Sequence, residues 1–229
     1  MLSFLLASCS SLELSKMPSS ESEAQRILAM NLTYAENLIE ANKLKDPHMV
    51  SVVVGKLTKA EDKKNNDLIE LEEMIMYSEN VKTLDNNSRF IGSEISDSRR
   101  RGLLDNYDYQ EYFLQGKNNN NNSLLDHQIH LSIKYTSDTW REYYSASVCD
   151  KWDGCSKENQ QDIQLILSDA GSCLNTKCEF REVMALNLTD EFLRSNMDEG
   201  FSIGFNSKKF TNKITIPPSY IKGYLLVAK

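Results

Sequence analysis

An α+β protein, with one N-terminal helix followed by a mainly antiparallel β-sandwich stapled by disulfides, is the fold this sequence predicts. Three observations predict it. Short segments of alternating apolar and polar residues recur from Gln128 onward, four cysteines cluster in two close pairs near the middle of that region, and a helical period occupies residues 21–43. Alternation with period two marks strands half-buried against a core, whereas apolar residues three and four apart mark one face of a helix.

The helix is signalled by Ser20 and Glu23, spaced as a capping box, and by Ala24, Ile27, Leu28, Ala35, Leu38 and Ile39 behind them. Asp46-Pro47 is expected to end it, because the residue before a proline is pushed out of the helical region. Met49 to Val54 is β-branched and short and reads as a buried strand. Lys59 to Asp67 then reads as an exposed loop, and Leu68 to Tyr77 as a strand pairing back on the first. The polar, tyrosine-rich stretch from Asp97 closes in the five asparagines Asn118 to Asn122. That tract is expected to form a mobile loop and to separate an N-terminal α+β part, residues 23–117, from a C-terminal body, residues 124–229.

Within that body, Ile129, Leu131, Ile133 and Tyr135 form one strand face, and Trp140 to Val148 continues after a turn. Ile163, Leu165 and Leu167 alternate up to Asp169-Ala170-Gly171, and Phe180, Glu182, Met184 and Leu186 share a face of the next strand. Thr189 is placed to cap one helical turn through Leu193. Phe201, Ile203 and Phe205 form a further strand, Lys213 to Ile216 another, and Ser219 to Val227 a closing helix. Several short strands at such intervals indicate a sandwich or barrel.

Composition narrows the function. The chain of 229 residues carries 40 % hydrophobic and 26 % charged residues and a formal charge of -7. That balance belongs to a globular protein and opposes binding to nucleic acid, which needs a basic face. The compact basic run Arg99-Arg100-Arg101 is flanked by Asp97 and Asp105 and reads as a solvated turn. With 9 glycines and 4 prolines, glycine-rich phosphate-binding folds lose support as well.

Met1 to Ser8 is apolar but too short to cross a bilayer, which takes about 20 residues. Leu6-Ala7-Ser8-Cys9 resembles the lipobox of bacterial lipoproteins, over about ten residues of the chain. The resemblance implies that residues 1–8 are the remnant of a signal peptide, that Cys9 is lipidated and that residues 9–22 tether the folded body. It also implies the outer membrane as destination, since Ser10 and not aspartate follows Cys9.

With Cys9 set aside, Cys149, Cys155, Cys173 and Cys178 remain, with five and four residues between the members of each pair. An even set of this kind fits disulfides formed in an oxidising compartment. Of three possible pairings the local ones, Cys149 with Cys155 and Cys173 with Cys178, are favoured, because a turn can close each loop. A four-cysteine zinc site is the rival reading, with spacings that fit poorly.

The residues nominate no catalytic group, metal site or cofactor. Asp126, His127 and His130 are close in sequence, yet on a strand the two imidazoles point to opposite faces and read as a surface pair. Glu179 with Glu182, and Asp198 with Glu199, are neighbours common on an acidic surface. The aromatic group Trp140, Tyr143, Tyr144 and Trp152 could anchor a partner, but core packing is the commoner use. The expected role is therefore binding or scaffolding in the cell envelope, through a protein partner, with attachment to the membrane by lipid. Two alternatives stand beside it: an accessory subunit of a secretion or motility machine, and a hydrolase of envelope polymers.

Overall fold

The computed structural model describes residues 19–86, 88–101, 106–118, 125–150 and 154–229. Residues 1–8, Cys9 and the tether up to residue 18 lie outside the described residues. The chain divides into two compact units, Met1–Leu68 and Ile69–Lys229.

The first unit is helical. α1 (Ser20–Leu28) starts at Ser19, whose hydroxyl accepts from the Ser22 N–H at 3.1 Å. α2 (Tyr34–Ala41) starts at Thr33, which forms a capping box with Glu36. Between them Asn31 takes φ 58°, a left-handed turn that asparagine tolerates, so the single helix expected over 21–43 is two helices. α3 (Pro47–Glu79) follows directly and runs into the second unit. It replaces both strands and the loop expected between Met49 and Tyr77. Pro47 opens this helix and terminates nothing, because a first-turn residue needs no intrahelical N–H bond, while Asp46 accepts from the His48 N–H at 3.0 Å. The valine run reads as a strand in isolation, but Val53 and Leu57, one turn apart, are buried with Ala24, Ile27 and Ala41. Burial of that stripe outweighs the β preference of valine, which amounts to a few tenths of a kcal/mol per residue in a helix. The lysines, glutamates and leucines that follow are strong helix formers, so no loop interrupts them.

The second unit contains the end of α3 and all the strands: β1 (Lys82–Leu84), β2 (Arg89–Ile91), β3 (Ile95–Arg101), β4 (Asn106–Asn118), β5 (Leu125–Ser137), β6 (Ser145–Asp150), β7 (Gly154–Asp162), β8 (Gln164–Leu174), β9 (Lys177–Leu188), β10 (Phe201–Asn206) and β11 (Thr211–Ile216). Two further helices, α4 (Asp190–Ser195) and α5 (Pro218–Val227), belong to it as well, so the helical content is not confined to an N-terminal helix. Among the described residues all pairings are antiparallel. One sheet has the order β1-β2-β4-β5-β9-β8, with β3 also on β4, and the other the order β11-β10-β6-β7.

The two sheets and α5 share one core. Leu114, Ile129, Leu131, Ile133, Met184 and Leu186 come from the larger sheet, Ile203, Phe205, Ile214 and Ile216 from the smaller, and Tyr220 and Tyr224 from α5. The Tyr112 hydroxyl on β4 donates to the Thr215 carbonyl on β11 at 2.7 Å. The polar, tyrosine-rich stretch after Asp97 contains β4, which has a buried face. Asp108, Gln110, Tyr112 and Leu114 are all buried, and the polar pair at the start of this face hides its alternation from a reading of hydrophobicity alone. β4 and β5 pair in register up to Asn118 opposite Leu125, within one unit, and the division between units falls after Leu68, while the rest of the asparagine-rich loop expected at 118–123 lies outside the described residues. The strand expected from Trp140 is shorter, because the chain turns at Glu142 (φ 55°) before β6 begins.

Disulfides join Cys149 to Cys155, across β6 and β7, and Cys173 to Cys178, across β8 and β9. Such bonds belong to proteins folded in an oxidising, extracytoplasmic compartment. They close loops of sequence separation 6 and 5, for which chain entropy gives about 2 kcal/mol each. Calorimetry with and without reductant is expected to show a lowered midpoint of that order, with cooperative unfolding retained.

Candidate functional site

A groove of the second unit lies where the start of β5 meets α4 and the end of β9. Its floor is His127, which alternation places on the core face of β5 at 1 % exposure. α4 begins at Thr189, whose Oγ1 accepts from the Phe192 N–H at 3.1 Å, and this cap sets Asp190 over the imidazole. His127 Nε2 is 3.3 Å from Asp190 Oδ1, and Arg194, one turn further on, donates from Nε to Asp190 Oδ2 at 2.7 Å. Behind the ring, the Tyr224 hydroxyl of α5 lies 3.0 Å from His127 Nδ1. Gly116 faces His127 across the β4–β5 ladder, and a Cβ there would run into the Tyr224 hydroxyl, so glycine makes room for the contact.

Burial favours the neutral imidazole and pushes the His127 pKa down, against the opposing pull of Asp190. The Arg194 hydrogen bond holds the Asp190 carboxyl below its usual range. The ionised Asp190 therefore accepts from Nε2–H, which leaves Nδ1 to accept from Tyr224, whose own pKa is raised by burial. With both nitrogens committed to protein groups, His127 serves as a prop that aims Asp190 and not as a free base. Around it the groove presents Lys117, Asp126, Gln128, Asn187, Glu191 and Ser195. Gln128 donates to Asn187 at 2.8 Å, so part of this rim is fixed in place.

A sign follows for pH. In the unfolded chain His127 takes up a proton near its ordinary value of about 6.5, whereas the folded protein resists it. The unfolded state then binds more protons, and stability falls as pH drops below that value. Asp190, depressed in the folded state, adds a loss in the same direction at lower pH. His130 is lowered as well, by burial and by Arg89. The slope of melting temperature against pH between 7 and 5 is therefore expected to be shallower in His127→Gln than in the wild type, not absent.

A second, smaller cleft is walled by Trp140, Phe180 and Phe210, with Lys208 and Lys209 at its edge. Trp140 packs on Phe180 with ring centroids 4.4 Å apart. Beneath lies Arg141, 8 % exposed, whose guanidinium grips Asp108 through two bonds of 2.8 and 2.6 Å. The guanidinium is stacked 4.0 Å from the Tyr135 ring and 4.8 Å from Phe210. Tyr135 accepts from the Arg141 backbone N–H at 2.9 Å and donates to the buried Glu182 at 2.5 Å. Tyr143 donates to Asn212 at 2.5 Å.

The four cysteines of the second unit pair as two separate disulfides and not as one metal cage, and Cys9 lies outside the described residues. His127 and His130 do fall on opposite faces of β5, but they are no surface pair: His127 is in the core, and His130 stacks on Phe113 at 4.9 Å. Among the described residues no three potential metal ligands converge. Of the aromatic group, Tyr143 is buried, Trp140 half-buried and Tyr144 exposed, while Trp152 lies outside the described residues. Asp190, Arg194 and the Arg141–Asp108 pair escaped the reading of the sequence. The Thr189 cap was the signal that could have pointed to Asp190.

No helix among the described residues is long and apolar enough to cross a membrane. Comparison with protein-family models, with curated proteins and with solved structures finds no match.

Proposed function

We propose that this chain is a lipoprotein of the cell envelope, held to the outer membrane through lipid on Cys9 on its periplasmic face, and that it acts by binding or scaffolding without catalysis. The single observation that carries the binding role is the polar groove over His127. Its His127, Asp190 and Arg194 are fixed by protein contacts, and the central imidazole has no nitrogen left for proton transfer. The disulfides support the compartment. Two antiparallel sheets feeding one core support reading the second unit as a β-sandwich.

The role of accessory subunit in a multi-protein envelope machine is favoured by one further feature. In the second unit α3 turns Glu70, Glu73 and Tyr77 toward α5, and Lys222 reaches Glu70 at 2.8 Å. Ile69, Leu71, Ile75 and Met76 are left exposed by 46–54 %. An outward apolar stripe of this kind marks a protein contact.

The test is the intact mass of protein isolated from its native membrane, with and without reductant and thiol alkylation. Loss of residues 1–8, an acyl addition on Cys9 and no free thiols are expected. An unprocessed chain with four alkylatable cysteines overturns the anchor and the compartment together. The groove is tested separately: an envelope partner recovered in stoichiometric amount is expected to be lost from Arg194→Glu at unchanged secondary structure, and its full retention overturns the role given to the groove.

A further inference from the structure

β8 ends the larger sheet, and among the described residues its backbone is paired on one side alone, to β9. It is eleven residues long, whereas β1 at the opposite end has three. Every residue of β8 is exposed, including Leu165 (54 %), Ile166 (52 %) and Leu167 (43 %). A long edge of unpaired N–H and C=O groups is commonly blunted by lysine, proline or inward charge. β8 contains neither lysine, arginine nor proline, and its one charge is Asp169. Bulges between Leu165 and Leu167 and between Ala170 and Cys173 add twist, and the Cys173–Cys178 bond holds the strand on β9. The edge is thus ordered before anything binds, which lowers the cost of association.

Open backbone groups on such an edge are matched by another extended strand, and the leucines and isoleucine need an uncharged, apolar one. β8 itself meets both conditions. We propose that β8 pairs antiparallel with β8 of a second copy of this chain, about a two-fold axis that passes within Leu165–Leu167, so that the larger sheet continues across a dimer. The exposed apolar run selects this centring: with the axis at Ile166, Leu165 of one copy faces Leu167 of the other, and Asp169 faces the uncharged Ile163. An axis through Asp169 would set two carboxylates opposite each other, which destabilises a strand pair. An isologous contact of this kind closes at two copies and forms no open fibre. It is independent of the groove and of lipid on Cys9.

The experiment introduces one cysteine at a time in the full-length chain: Leu165→Cys, Ile166→Cys, Leu167→Cys and, outside the centre, Leu174→Cys. Membranes are treated with mild oxidant and read on non-reducing gels beside the wild type. A dimer band is expected from at least one of the three central positions and from neither Leu174→Cys nor the wild type. In detergent, sedimentation equilibrium is expected to give a dimer for the wild type and a monomer for Leu165→Lys/Leu167→Lys, with unchanged secondary structure because both residues are exposed in the single chain. A wild-type monomer, a dimer that survives both lysines, or cross-linking at Leu174→Cys alone overturns the proposal.

Discussion

Asp108→Asn is expected to destabilise the protein by about 3–5 kcal/mol, the cost of leaving a buried cation without its counter-charge. Arg141 is held between the Tyr135 and Phe210 rings, with its fork on Asp108, and cannot reach water without taking the cleft apart. Asparagine fills the same volume and can still bond, so the loss isolates charge from packing. At 2–4 °C per kcal/mol for a domain of this size, the melting temperature is expected to drop by roughly 10 °C. The double variant Asp108→Leu/Arg141→Met should recover most of the loss, since an apolar pair of similar volume avoids the desolvation of both charges. A double-mutant cycle by chemical denaturation measures the coupling. If Asp108→Asn costs under about 1 kcal/mol, the pair is solvated and its role in the core is wrong.

The second large effect is expected at Gly223. A Cβ there would stand 2.5 Å from the Met74 carbonyl oxygen, 2.8 Å from Tyr77 Cβ and 3.1 Å from the Ser78 nitrogen. Two of those three neighbours are helix backbone and cannot swing aside. Gly223→Ala should therefore cost about 2–3 kcal/mol, and Gly223→Val more, against the fraction of a kcal/mol that alanine returns in helix propensity. Gly55, in α3, is the control. Nothing lies within 4 Å of its added Cβ, so Gly55→Ala is expected to stabilise by about 0.5–1 kcal/mol. Opposite signs at two glycines would separate close packing from intrinsic propensity. Equal, small effects would remove the close approach of α5 to α3.

Where sequence reading succeeded, one physical signal acted alone. β9, α4, β10, β11 and α5 lie where alternation, the Thr189 cap and the proline pair placed them, because no competing signal overlies those segments. It failed where two signals competed. The valines of α3 carry β preference and helical spacing together, and the core made with Ala24 and Ile27 decided between them. β4 carries aspartate and glutamine on its core face, so its alternation in hydrophobicity vanished while its alternation in burial did not. β8 has the opposite defect: its apolar residues were taken for core, and they are exposed. The candidate site was legible only as the residues Asp126, His127 and Thr189. What brings His127, Asp190 and Tyr224 together is pairing over 63 and 97 residues of sequence, which no local pattern encodes.

That separation also governs how the second unit comes into being. β5 is the inner strand beside β9, with His127 opposite Leu188 and Ser137 opposite Cys178, and β6 finds β10 more than fifty residues further along. Hairpins such as β8–β9 and β10–β11 close within microseconds, but the sheets cannot assemble around the core until the distant strands meet. The entropy of those large loops is spent before the contacts that repay it exist, so such topologies fold in milliseconds to seconds. Throughout that interval the exposed leucines of β8 are available to any other nascent chain, and the time a newly exported copy spends incomplete becomes a hazard in its own right.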